Sequence, residues 1–144
     1  MLVQTILKSK ATAGVVTIGS GVRVSEAAKV LAEKRIGSLV VSEDGTTADG
    51  ILSERDIVRE LGRVGSGCLT QTVAQYMTRD PVTCTGQCTV QEVMTRMTEG
   101  RFRHMPVVEG GKLVGIVTIG DVVKAQLTEL AMEKDALEGM IMGH

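Results

Sequence analysis

The alternation of apolar and polar residues divides the chain into short strands and amphipathic helices, and the order then repeats. Residues 2 to 9 place Leu2, Val3, Ile6 and Leu7 on one helical face, and Ala11-Thr12-Ala13-Gly14 follows as a loose connection. Val15 to Ile18 reads as a strand. A helix follows Ser25 with Ala27, Val30 and Leu31 on one side, and Gly37 is expected to close it in a left-handed conformation. Leu39-Val40-Val41 and Gly50-Ile51-Leu52 are strands joined by a turn, and a helix after Ser53 is expected to carry Ile57, Val58 and Leu61 inward. The glycine-rich run from Gly62 to Gly67 marks a flexible internal boundary.

Beyond it the order returns: a helix over Thr72 to Met77, a strand at Pro81-Val82-Thr83, a helix from Val90 to Glu99, a strand from Met105 to Val108, a hairpin at Glu109 to Lys112, a strand from Leu113 to Val117, and a helix opening at Asp121. Val24 and Val90, Glu26 and Glu92, and Val41 and Val107 are each displaced by 66 residues, while Ile51 and Ile116, and Asp56 and Asp121, are displaced by 65. A one-residue deletion in a turn between two segments that stay in phase indicates a duplicated β-α-β-β-α unit. The expected fold is therefore α+β, two such repeats packed together about a pseudo-two-fold axis. Residues 1–66 form the N-terminal segment and first repeat, 67–127 the second repeat, and 128–144 a C-terminal helix.

Composition narrows the function. Hydrophobic residues make up 43% of the chain and the net charge is -1, without the basic excess that steers a protein onto nucleic acid. With one Tyr and one Phe there are too few rings for a base-stacking platform. No segment resembles a secretory signal or the roughly 20 apolar residues of a membrane span, and Cys68, Cys84 and Cys88 fit reduced thiols, so a cytoplasmic protein is expected. Neither a Ser-His-Asp set, paired catalytic carboxylates, a Walker loop nor a dinucleotide fingerprint occurs, and no enzymatic activity is expected. Cys84 and Cys88, with His104 and His144 as the only histidines, make a poor metal set; a thiol-based redox role for the two cysteines is the alternative kept open.

The repeated segments Gly50-Ile51-Leu52-Ser53-Glu54-Arg55-Asp56 and Gly115-Ile116-Val117-Thr118-Ile119-Gly120-Asp121 put a hydroxyl residue and an aspartate three positions apart where a strand becomes a helix. Taken singly, Ser53 with Asp56 and Thr118 with Asp121 are capping pairs, each side chain satisfying a free backbone N–H. Taken as a pair, they also mark two helix ends able to meet an anion. Arg101-Phe102-Arg103-His104 is the densest cationic patch, either a solvated loop anchored by Phe102 or a phosphate-binding group.

With this repeat and these two motifs, the chain resembles a tandem pair of cystathionine-β-synthase (CBS) domains, or Bateman module, from about Val15 to about Leu127. The resemblance leaves no room for an attached enzyme or transporter and so implies a stand-alone regulatory protein. It implies adenosine ligands such as AMP, ADP, ATP, NAD(H) or S-adenosylmethionine, without a metal, in clefts between the repeats. It further implies that Asp56 and Asp121 accept ribose hydroxyls and that Ser53 and Thr118 donate to phosphate. His104 falls where some members hold the phosphate, and Arg103 beside it is expected at the second motif; Ser38 is the first-half counterpart of His104, with Arg55 and Arg59 supplying positive charge there. Val16-Thr17-Ile18 and Val82-Thr83-Cys84 match the family's first strand, whose end offers backbone groups to adenine, and Met105 is among the aliphatic residues expected to flank the base, together with Ile36, Ile51 and Ile116. Finally Leu127, Leu130, Leu137 and Ile141 form a heptad-like stripe that either packs back on the domain or makes a homodimer contact, and an unidentified regulated protein is the remaining partner. A purely protein-interacting module with vestigial clefts is the other reading.

Overall fold

A computed structural model describes residues 1–10 and 15–142. The connection expected at Ala11 to Gly14 lies outside the described residues, as does His144. Helix α1 (Val3–Ser9) is followed by β1 (Thr17–Ile18), α2 (Val24–Lys34), β2 (Ser38–Val41), β3 (Gly50–Ser53) and α3 (Glu54–Val64). A 3-10 helix over Gly65–Thr70 then leads to α4 (Val73–Tyr76), β4 (Thr78–Arg79), α5 (Val90–Gly100), β5 (His104–Glu109), β6 (Lys112–Thr118) and the 23-residue α6 (Ile119–Ile141). One sheet has the order β1-β2-β3-β4 and the other is the β5-β6 hairpin. The α+β class and the duplication expected from the pattern are both present.

The repeat is most visible in the two cores. Val24, Ala27, Leu31, Leu39, Val41, Leu52 and Ile57 fill the first, and Val90, Val93, Met97, Met105, Val107, Val117 and Val122, their counterparts by the same displacement, fill the second. Leu39, Leu52 and Met105 are wholly buried, each contributing roughly 1.5–3 kcal/mol of apolar transfer. The first strand is where the copies diverge. Thr17 and Ile18 pair in parallel with Val40 and Val41, whereas in the second copy only a bridge from Cys84 to Val107 survives, and no strand forms at Pro81-Val82-Thr83. The short strand there is instead β4, which extends the first repeat's sheet along β3 through Thr78↔Ile51.

The helices that precede each repeat cross over. Val73 of α4 lies in the first core, while Val3 and Ile6 of α1 lie in the second. Equivalent backbone bonds fix both crossings: Val73 N–H donates to Val22 and Val3 N–H to Cys88, while Val24 N–H donates to Gln71 and Val90 N–H to Met1. In this register Val3 corresponds to Val73, a displacement of 70.

Several local expectations are corrected. The left-handed residue closing α2 is Arg35 (φ 54°), matched by Arg101 (φ 57°) at the end of α5, and not Gly37. Gly37 is required for space, since a Cβ there would lie 3.0 Å from Nε2 of His104. On α3, Ile57 is buried but Val58 and Leu61 face outward, because Asp56 and Glu60 take the inner positions, paired with Arg59 and Arg63. The glycine-rich boundary is ordered as helix: α3 runs through Gly62 to Val64, and the 3-10 turn after it buries Cys68. Among the described residues no helix is long and apolar enough to cross a membrane.

Candidate functional site

Where β3 becomes α3, the change from extended to helical backbone leaves free N–H groups at the helix end. Ser53 and Asp56 satisfy two of them reciprocally: Ser53 N–H donates to Asp56 Oδ2 at 2.8 Å and Asp56 N–H donates to Ser53 Oγ at 3.2 Å. The same box recurs at Thr118 and Asp121, at 2.9 and 3.1 Å. Capping is thus realised at both motifs. It leaves each carboxylate with spare lone pairs at a helix N-terminus, where the dipole favours negative charge.

Above the first motif lies a cavity of about 460 Å³. Ile51, Ser53, Arg55, Asp56 and Arg59 come to it from the first repeat, Thr78, Asp80, Pro81 and Val82 from the connecting segment, and Gly100 to His104 from the second repeat. Four guanidinium groups and an imidazole therefore face two carboxylates across an inter-repeat cleft. Arg59 is already committed to Asp56 Oδ1 at 2.8 Å, yet its side chain is 62% exposed and so free to turn toward an incoming anion.

His104 reaches this cleft because its strand starts at the junction between repeats. Its backbone pairs with Thr118 in the hairpin, while its imidazole lies against Gly37 of the first repeat. Burial pushes that imidazole below its ordinary 6.5, with Glu54, Asp56 and Asp121 pulling the other way and Arg103 reinforcing the fall. At neutral pH it is uncharged, with one donor and one acceptor nitrogen.

The second motif is built differently. Lys10, just past α1, places its ammonium 2.9 Å from Asp121 Oδ2 and 2.9 Å from the Ile116 carbonyl. Burial alone would raise the Asp121 carboxyl, but the Thr118 N–H and the Lys10 ammonium outweigh it and hold it below its ordinary value.

Ile51, Ser53, Arg55, Asp56, Arg59, Arg103 and His104, all expected from the sequence, therefore meet in one cleft. Arg103 and His104 line the Asp56 cavity, although they were expected at the second motif, to which their backbones are bonded at Ile119 and Thr118. Met105 is wholly buried in the second core and cannot flank a ligand, since the strand alternates and His104 takes the outward position. Thr17, Thr83 and Ser38 lie outside the cavity lining; Ser38 is buried, paired in register with Ser53. Thr118 and Asp121 form the separate second motif. Arg101 stands out in the sequence only as part of the cationic patch, and Asp80 and Lys10 carry no sequence signal of their own; the 70-residue register of the crossing helices, which aligns Lys10 with Asp80, draws attention to both. Cys84 is buried and its thiol is pushed up to about 12, mainly by that burial, which leaves it without the thiolate that redox exchange needs. Among the described residues no three His, Cys, Asp or Glu side chains group to hold a metal ion.

Two β-α-β-β-α units, crossed helices and a cationic cleft at their junction define a paired-repeat module. A family model for the CBS domain matches residues 7–63 and 73–128, and the chain belongs to the CBS-domain family as a tandem pair. Among curated relatives, it is 34% identical over 124 residues to the mitochondrial CBS domain-containing protein CBSX3 of Arabidopsis thaliana, covering 83% of this chain but only 60% of that protein's length. Among solved structures, a CBS-domain containing protein from Agrobacterium tumefaciens superposes with a TM-score of 0.83 at 42% identity, over 88% of this chain and 99% of that one. The CBS domain pair of protein MJ0100, solved in complex with 5'-methylthioadenosine and S-adenosyl-L-methionine, superposes with a TM-score of 0.78 at 27% identity, over 90% of this chain and 98% of that one.

Proposed function

We propose that this CBS pair is a non-catalytic regulatory protein that binds an adenine nucleotide (AMP, ADP, ATP or NAD(H)) in the cleft around Asp56. The observation that carries the reading is the meeting, in one cavity of about 460 Å³, of a helix N-terminus bearing Ser53 and Asp56 with Arg55, Arg101, Arg103 and His104 from both repeats. That volume lies in the range of small-molecule pockets. In this reading Asp56 accepts ribose hydroxyls, the guanidinium groups bind phosphate in a fork, and Ile51 and Val82 flank the base. The adenosine ligands of the MJ0100 pair favour the same class. Because the cleft is shared between repeats, occupancy changes how the repeats sit on each other and so what the outer helices present to a partner.

The ligand prediction is that calorimetric titration of the full chain gives tighter binding for AMP than for adenosine, with the difference shrinking as salt is raised. Equal affinity for the two at low salt removes the phosphate role of the cationic cleft.

The same reading includes a homodimer through α6. Leu127, Leu130, Leu137 and Ile141 are 62, 56, 59 and 84% exposed, so nothing among the described residues covers the stripe. A helix of that length extends about 35 Å, long enough for a coiled-coil contact. Sedimentation of a chain ending at Gln126 is expected to show a folded monomer; a folded dimer would move the contact to the repeats.

A further inference from the structure

Lys10 is the first side chain beyond α1, and α1 is not loose: Val3 and Ile6 are buried in the second core and Leu7 lies against Gly115. The helix therefore delivers Lys10 to one place, where its ammonium spans Asp121 Oδ2 and the Ile116 carbonyl. Both partners belong to the repeated motif, and Asp121 stands where Asp56 stands in the open cleft. The crossing helices show what the other copy has at this point. In the 70-residue register that aligns Val3 with Val73, Lys10 aligns with Asp80, which lines the Asp56 cavity. Each carboxylate is thus paired with a cation of its own chain, but Arg59 on Asp56 is 62% exposed beside the open cavity, whereas Lys10 on Asp121 is 26% exposed and is bonded to the Ile116 carbonyl as well.

We propose that Lys10 is a tethered competitor for the second adenosine site: its ammonium holds the Asp121 carboxylate that ribose hydroxyls would need, so the two clefts of this module have unequal affinity for one ligand. The proposal rests on the nucleotide-binding reading given above. A group tethered at millimolar effective concentration must be displaced before a ligand can use Asp121, and the bond to be broken is charge-assisted. Filling of the second cleft also releases Lys10, so α1 is the element that responds to it.

The test is calorimetric titration with AMP, and with ATP in parallel, of the full wild-type chain, Lys10→Met, Asp56→Asn and the double variant. Methionine keeps the aliphatic stem and removes the charge, and circular dichroism checks each fold. Asp56→Asn is expected to weaken binding at the first cleft, and the double variant to bind at least about ten-fold more tightly than Asp56→Asn alone, through the freed second cleft. A double variant that binds no better than Asp56→Asn overturns the competitor role; if Asp56→Asn is itself weakened, the Asp56 reading stands regardless. If Asp56→Asn binds like wild type but Lys10→Met gains affinity, the competitor role is supported and the Asp56 reading fails. If no variant binds either nucleotide, both fail.

Discussion

The Asp56 and Asp121 motifs share a strand, a helix and a capping box whose hydrogen bonds agree within about 0.1 Å, yet they are not the same site. At Asp56 the neighbouring segments bring Arg101, Arg103, His104 and Asp80 around a cavity. At Asp121 the neighbour is Lys10, and Gly37 and Ser38 occupy the positions that correspond to Arg103 and His104. Duplication copied the local frame, which depends on residues a few positions apart. What each frame can bind was then set by segments that arrive from the other repeat and from α1.

The comparison is broken most directly at the two aspartates. Asp56→Asn is expected to lower AMP affinity roughly ten- to a hundred-fold, since a hydrogen bond to a charged group contributes about 1.5–3 kcal/mol, while Asp121→Asn changes it by less than about three-fold. Calorimetry on both variants checks this, and equal losses would make the two clefts equivalent.

A second, smaller contrast lies in the paired glycines beneath the motifs. A Cβ at Gly50 would stand 2.7 Å from Met77 Sδ and 3.0 Å from the Thr78 carbonyl, which is fixed by the β3–β4 pairing; at Gly115 it would meet only the Leu7 side chain, at 2.7 Å. Gly50→Ala should therefore destabilise by about 1–3 kcal/mol and Gly115→Ala by less than about 1 kcal/mol, as measured by urea unfolding. A reversed order would mean that α1 is held more rigidly than β4.

The smallest contrast is between His104 and its counterpart Ser38, which does not titrate. Because the folded-state pKa of His104 lies below 6.5, the unfolded chain takes up a proton first as pH falls. Its contribution is full above about pH 6.5 and is lost as pH drops toward the folded value. Melting temperatures measured at about pH 8 and about pH 5 should show a larger fall for wild type than for His104→Gln, the excess being the His104 share. Identical falls would place the imidazole in solvent.

How far the sequence reached follows the same division. The displacements of 66 and 65 residues and the helix-start pairs are properties of near neighbours, and they located both cores and both capping boxes. The placement of the Arg103 and His104 side chains is not legible in the sequence, because adjacency along the strand ties His104 to Thr118 while its imidazole crosses to the other repeat at Gly37. Lys10 was invisible for a related reason. Its partner lies 111 residues away, and a lysine after a short amphipathic helix reads as solvated charge. Arg35 and Arg101 as left-handed helix ends were missed because glycine is the common residue there, and Gly37 nearby offered a false candidate.

The crossing of α1 and α4 bears on how this protein can be taken apart. A polypeptide cut within Gly65 to Gly67 would leave the first fragment carrying α1 but lacking α4, and the second carrying α4 but lacking α1. Each fragment would expose the apolar seat that the other's helix fills, at Val24 and Leu52 in one and at Val90 and Val117 in the other. Two such pieces, expressed from separate genes and each fused to half of a reporter enzyme, would form a reconstitution pair that closes only by exchanging helices.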